Sequence, residues 1–324
     1  ALEALERAVR ELNRYPDGGA YRLRAALAEK HGVDMAQVAI GSGADGVIGQ
    51  LAAAAIDPGD EIACGWPSFP SYVIDTKVRG GVPKLVPLKD GRYDLPGILA
   101  AIGPRTKIVY LCHPNNPTGT VNTTAELDAY FAAVPAHVLT VLDQAYFEYV
   151  DDPDYACGVE RYLKAGHRVL VLRTFSKIYG LAGMRVGYGI GPAPLVRELG
   201  KVRRAFDTTL AGQEAAIASL GAESEPEIAR RARLCAEGRV RLHAILRENG
   251  FQPLPGVANF LFAQAPCDAA ALNDALLREG VIIRPMGAFG DPTAIRVTVG
   301  APDELDFFAA ALPRALERVA ATAT

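Results

Sequence analysis

Six short β-rich runs punctuate the first 174 residues, each bounded by turn residues and separated by stretches of helical periodicity: 37–41 (QVAIG), 61–65 (EIACG), 82–88 (VPKLVPL), 107–112 (KIVYLC), 137–143 (HVLTVLD) and 168–174 (RVLVLRT). Strands separated by helices cross over rather than fold back as hairpins, so the pattern predicts an α/β fold with a mainly parallel sheet covered on both faces. From about Glu223 to Asn249 the pattern changes to a long charged helical stretch. NFLFA, another helical segment, VIIRP, AIRVTVG and a last helix from about Pro302 follow. That order predicts a smaller α+β domain joined to the body by a long helix. The opening ALEALERAVREL carries Glu3 and Glu6 among apolar residues at helical spacing, and this amphipathic helix is expected to pack with the small domain. The expected division is a large domain over 15–222 and a small domain made of 1–14 and 223–324. Of the 324 residues half are hydrophobic, enough for two cores.

Charge and cysteine content narrow the function classes. The formal net charge of −3 leaves no basic excess for nucleic acid or anionic lipid. The five cysteines are odd in number and widely spread, with neither Cys-x-x-Cys nor matching histidine spacing, which points to free thiols in a reducing compartment and to no metal site. The charged first helix does not read as a secretory signal, and no apolar run reaches the roughly 18–20 residues needed to span a bilayer. The expectation is a soluble cytoplasmic protein whose ligands are small molecules.

Chemically distinctive residues fall directly after strands. Ser42-Gly43-Ala44-Asp45 follows the first, Asn115-Asn116-Pro117-Thr118-Gly119 the fourth, Asp143 ends the fifth, and Ser176-Lys177 follows the sixth. In a parallel sheet these are carboxyl ends on one edge, where open α/β sheets bind ligands. Residues 41–46 (GSGADG) offer free helix-start amides that can hold a phosphate, or else simply a tight turn. A dinucleotide fold would want an acid ending the next strand, and that strand ends Cys64-Gly65. Asp143 reads as an exposed strand-end acid or cap, or, if buried, as the partner of a cation such as a protonated ring nitrogen. Tyr146, three residues on, reads as packing or as a hydrogen bonder to the same ligand. Lys177, beside Thr174 and Ser176, reads singly as a surface lysine. Among the other three loops it reads as a partly desolvated amine able to form a Schiff base with a carbonyl. Arg284 and Arg296 lie in apolar strand context and need an anionic partner if buried.

As an ordered set, GSGAD, PNNPTG, LDQAY and TFSKIYGLAGMRVGY resemble the pyridoxal-phosphate enzymes of the aspartate-aminotransferase fold over about residues 40–190, and NFLFA, VIIRPMGAFG and AIRVTVG extend the similarity almost to the end. Within that superfamily, RYPDGG, WPSFPSY and the IIRP and IRVTVG strings most resemble histidinol-phosphate aminotransferases. The resemblance implies a fold type I pyridoxal 5′-phosphate enzyme, a homodimer with shared sites, moving an amino group from histidinol phosphate to 2-oxoglutarate in histidine synthesis. It implies that Lys177 holds the cofactor and shuttles the proton, and that Asp143 pairs with the pyridinium nitrogen. Asn116 and Tyr146 would bond the phenolic oxygen, and Phe69 would stack on the ring. The phosphate would lie on the Gly43, Ala44 and Asp45 turn, the Thr174 and Ser176 hydroxyls and Arg185, with Tyr15 reaching it from the neighbouring subunit. Arg296, with Arg284 and Asn116, would receive the substrate's anionic groups.

Three departures stand beside this resemblance. Only 14 residues precede Tyr15, whereas the family has a further N-terminal arm with an Asn-Glu-Asn-Pro-like segment. Gln144 replaces the usual Glu, and His113 precedes the Pro-Asn-Asn run without an assignable role. The competing readings are an aromatic or broad-specificity aminotransferase, an O-phospho-amino-acid decarboxylase on the same scaffold, and a ligand-sensing regulator module.

Overall fold

A computed structural model describes residues 1–322. The six expected strands form as β1 (Val38–Ser42), β2 (Glu61–Trp66), β3 (Val82–Pro87), β4 (Thr106–Cys112), β5 (Leu139–Asp143) and β6 (Val169–Thr174). They share one direction. A seventh, β7 (Val186–Ile190), runs antiparallel between β1 and β6, giving the order β1-β7-β6-β5-β4-β2-β3. Every residue of β5 and β6 is buried, as expected of strands covered on both faces, whereas the edge strand β3 has only exposed and half-buried positions.

The β7 strand was not expected, because its VGYGI sequence carries glycines at alternate positions and lies in a run that reads as a loop. Those glycines are what its position requires. A Cβ on Gly187 would lie 2.1 Å from the Ala44 nitrogen, so only glycine lets the next helix press its first turn against the strand.

The helices of the body are α1 (Leu2–Ala8), α2 (Tyr21–His31), α3 (Gly43–Ala55), α4 (Ser71–Val78), α5 (Leu95–Ala101), α6 (Thr124–Ala133), α7 (Ala193–Val202) and α8 (Leu210–Ala218). Several starts are fixed by side-chain caps. Thr123 and Glu126 form a reciprocal capping box on α6, and Asp94 accepts from the Gly97 amide on α5. The start of α3 has no such cap.

Beyond the body, α9 (Glu225–Glu248), β8 (Gln252–Pro253), β9 (Phe260–Gln264), α10 (Ala269–Arg278), β10 (Arg284–Pro285), β11 (Ala294–Thr298) and α11 (Pro302–Thr322) build a small antiparallel sheet, order β10-β11-β9-β8, with its helices. Leu261, Ala263, Ile295 and Val297 point into a core shared with α9, α10 and α11. By the two-residue period of a strand, Phe260, Phe262 and Arg296 share the opposite face, where Phe260 belongs to the core of the body. The α9 helix serves both cores, Cys235 packing in the first and Leu242 in the second.

One expectation is corrected. Among the described residues the first helix packs on the body instead of the small domain: α1 lies along α8, burying Ala4 and Ala8, and Leu5 packs on the body's core. Its small-residue stripe matches a helix, LAGQEAAIA, whose own buried residues are mostly small, which permits close approach.

Candidate active site

The parallel register brings the ends of β1, β4, β5 and β6 to one edge, with Cys112 and Asp143 side by side as the last residues of neighbouring strands. Asp143 is only 4% exposed. Its Oδ2 accepts from the Tyr72 hydroxyl at 2.6 Å and its Oδ1 from the Ala145 amide at 3.0 Å. Among the described residues no Lys or Arg lies within ion-pair distance of it. Burial pushes its titration above the ordinary carboxylate value, opposed chiefly by the Tyr72 hydrogen bond and more weakly by the Ala145 amide and Lys177. A carboxylate held ready this way lacks its cation.

Lys177 follows β6 on the same edge. Its amine titrates below the usual lysine value because it is desolvated and shares the site with Arg296 and Arg185, while Asp143 pulls the other way. Its Nζ lies 5.1 Å from the centroid of the Tyr146 ring. Tyr146 is buried and meets Phe260 edge to face, with centroids 5.2 Å apart. Over the other side of that contact comes Arg296, its Cζ 4.9 Å from the Phe260 centroid and its Nη1 donating to Asn116 Oδ1. Arg284 stands directly opposite Arg296 across β10 and β11, exposed to solvent, and burial of Arg296 lowers its titration, with Arg284 adding to the effect and Tyr146 opposing it.

A second group of residues forms an anion cradle. The start of α3, from Gly43 through Ala44 and Asp45, carries no capping side chain, so its first amides have no side-chain partner. Gly43 has φ +75°, and a Cβ there would lie 2.5 Å from Arg185 Nη2, so the guanidinium packs over a bare backbone. Arg185 itself takes a left-handed φ of 53° and donates to the Ser176 hydroxyl at 3.3 Å and the Ala182 carbonyl at 3.2 Å. The Thr174 hydroxyl donates to Ser176 Oγ at 3.0 Å and accepts from the Ser176 amide at 3.1 Å. A non-glycine residue in that conformation, aimed at uncapped amides and two hydroxyls, is an arrangement for a phosphate.

Residues 1–312 match the family model described as aminotransferase class I and II. This chain is a class I and II aminotransferase. It is 41% identical to the histidinol-phosphate aminotransferase of Moorella thermoacetica over 96% of this chain and 80% of that one. To the aromatic amino acid aminotransferase of Corynebacterium jeikeium it is 42% identical over 96% of this chain and 83% of that one. The crystal structure of histidinol-phosphate aminotransferase from Sinorhizobium meliloti in complex with pyridoxal-5′-phosphate superposes with a TM-score of 0.91 at 32% identity, covering 98% of this chain and 87% of that one. The fold is fold type I.

In this aminotransferase the structure brings Asp143, Lys177, Tyr146, Asn116 and Arg296 together, and gathers Gly43, Ala44, Asp45, Thr174, Ser176 and Arg185 beside the same sheet edge. Phe69 is half-buried and meets Tyr72 edge to face at 5.6 Å. Tyr15 stands apart: it is 82% exposed and stacks on Phe206 at 4.7 Å. Sequence reasoning missed Tyr72, Phe260 and Gly187. Tyr72 sits in the first turn of α4, three residues after Phe69, and nothing in its local sequence marks its contact with Asp143. Gln144 and His113 are structural. The Gln144 amide donates to the Ala156 carbonyl and the Tyr155 hydroxyl and accepts from the Gly158 amide and Arg173, so all its groups are used. His113 stacks on Tyr155 with ring planes 6° apart, and burial pushes its titration down to about 4.

Proposed function

We propose that this aminotransferase takes the amino group of histidinol phosphate and delivers it to 2-oxoglutarate, forming imidazole acetol phosphate and glutamate. Pyridoxal 5′-phosphate is its cofactor. The donor set fits that group: a buried carboxylate without a cation for a protonated ring nitrogen, uncapped amides with Arg185 and two hydroxyls for a phosphate, and a depressed lysine between them. The observation that carries the substrate reading is the second anion locus. Arg296 and Arg284, in register on the small sheet, stand apart from the cradle that the cofactor's own phosphate uses. A substrate with a phosphate, and a co-substrate with two carboxylates, both need such a locus.

Bound here, pyridoxal phosphate supplies an electron sink for the pair left behind when the substrate's α-proton departs. The chain supplies the rest. Asp143 would pair with the ring nitrogen, Asn116 and Tyr146 would bond the phenolic oxygen, and Phe69 would cover one face. Lys177, its proton already loosened by burial and by two arginines, holds the cofactor and then takes and returns a proton at Nζ. Arg296 binds the substrate anion, and Asn116 already accepts from it, so one contact joins the small domain to the cofactor loop.

The same reading makes the enzyme a cytoplasmic homodimer in which Tyr15 contacts the partner's cofactor phosphate. An exposed tyrosine propped on Phe206, outside its own cradle, supports that assignment. The aromatic alternative is favoured by one observation, the apolar group of Phe262, Met286, Leu254 and Phe289 on the arginine face of the small sheet, with Trp66 stacked on Phe289 at 5.9 Å. The visible spectrum before and after each amino donor decides between them. Loss of the cofactor's visible band with histidinol phosphate, and not with L-phenylalanine, is expected. The reverse pattern would discard the histidine reading. Lys177→Ala should lose turnover with either donor.

A further inference from the structure

Tyr72 lies on α4, outside the strand-end loops that carry the chemistry, and is fully buried. Its ring stacks face to face on Tyr110 with centroids 4.3 Å apart and planes 10° apart, and Phe69 closes over it edge-on. That packing leaves the hydroxyl one direction, and along it lies Asp143 Oδ2 at 2.6 Å. With the Ala145 amide on Oδ1, both carboxylate oxygens are held, and the plane of the group is set before any ligand arrives. From this geometry we infer that Tyr72 is a positioning residue, acting through Asp143 to orient the carboxylate and keep it ionised toward the cofactor's ring nitrogen. One turn of chain thereby delivers both Phe69 for the ring face and the hydroxyl that aims its counter-ion. The inference rests on the assignment of Asp143 above.

The charged and titratable groups around Asp143 are Tyr72 from α4, Tyr110 and Cys112 from β4, Tyr146 after β5, Lys177 after β6 and, more remotely, Asp45 on α3. Lys177 favours the carboxylate and Asp45 opposes it. The Tyr72 phenol itself titrates well above its ordinary value, so it stays a donor throughout the working range. Loss of this donor raises the Asp143 titration further, and the acid limb of cofactor affinity then moves to higher pH.

The test is cofactor binding, measured by equilibrium dialysis against pH on the full chain. Tyr72→Phe is expected to weaken pyridoxal phosphate about tenfold and to shift the acid limb up by about one pH unit, while Tyr130→Phe, which removes a buried hydroxyl bonded to Thr140, leaves both unchanged. A cofactor analogue with carbon in place of the ring nitrogen should bind wild type and Tyr72→Phe alike. A melting curve of Tyr72→Phe, which removes one oxygen and keeps the stacked ring, is expected to show a folded protein. Unchanged affinity and limb in Tyr72→Phe, or a penalty that persists with the analogue, would overturn the inference. Asp143→Asn is the separate control: if it binds pyridoxal phosphate as wild type does, the assignment of Asp143 falls first.

Discussion

Asp143 is a residue that the fold holds at a cost. Near its ordinary titration at 3.8 the unfolded chain begins to release the proton, while the buried native carboxyl retains it. Between that value and the raised native one the native state therefore binds more protons, and stability falls as pH rises through the window. Above the window the full desolvation cost persists until a cation arrives. Replacement by Asn removes the charge and keeps the contacts, since the amide oxygen can accept from Ala145 and the NH2 can donate to the Tyr72 oxygen. The cofactor-free Asp143→Asn protein should thus melt no lower than wild type at about pH 8, with a flatter pH dependence. Its affinity for pyridoxal phosphate should fall by about one to two orders of magnitude, the worth of a charged hydrogen bond. Thermal melts with and without cofactor check both statements, and a cofactor-free variant that melts well below wild type would show the carboxylate to be stabilising instead.

At the scale of elements, the cradle is a product of two glycines on opposed pieces of backbone. Gly187 on β7 faces the Ala44 nitrogen at the start of α3, and Gly43 faces Arg185. A methyl group at 187 would overlap backbone atoms, and backbone cannot swing aside as a side chain does. Gly187→Ala should therefore open the β7–α3 contact, cost about 1–3 kcal/mol of stability and weaken cofactor phosphate binding, read by melting temperature and dialysis. Normal affinity in this variant would show that the contact does not shape the cradle. The same pair explains what could be read from the sequence. β1, β2, β4, β5 and β6 were legible because buried strands spell largely apolar runs, and the edge strand β3 because turn residues bound it. Asp143 was legible because it ends such a run, and Lys177 because it follows one closely. β7 was hidden because the close approach of α3 replaces β-forming residues with glycine. Tyr72 was hidden because a tyrosine on an ordinary short helix carries no local mark of the carboxylate it meets 71 positions away. The first helix was misplaced because its alanines fit any close-packed surface, and amphipathicity names a face without naming its partner.

At the scale of the whole molecule, the proposed dimer turns on Tyr15, assigned above to the partner's cofactor phosphate. Within its own chain Tyr15 is propped outward on Phe206, a residue in the left-handed conformation at φ 60° that is itself 46% exposed. Two exposed aromatic rings stacked together are a poor surface for a monomer and a suitable one for insertion into a symmetric neighbour. If Tyr15 acts across the interface, then Tyr15→Ala and Lys177→Ala damage different halves of each composite site. Unmixed, each variant has no intact site. Mixed one to one through mild dissociation and reassociation, half of the dimers are hybrids, and each hybrid joins the good lysine of one subunit to the good tyrosine of the other at one of its two sites. Turnover at limiting pyridoxal phosphate should then recover to about one quarter of wild type. If Tyr15 serves its own chain, every hybrid site lacks one of the two groups, and mixing restores nothing.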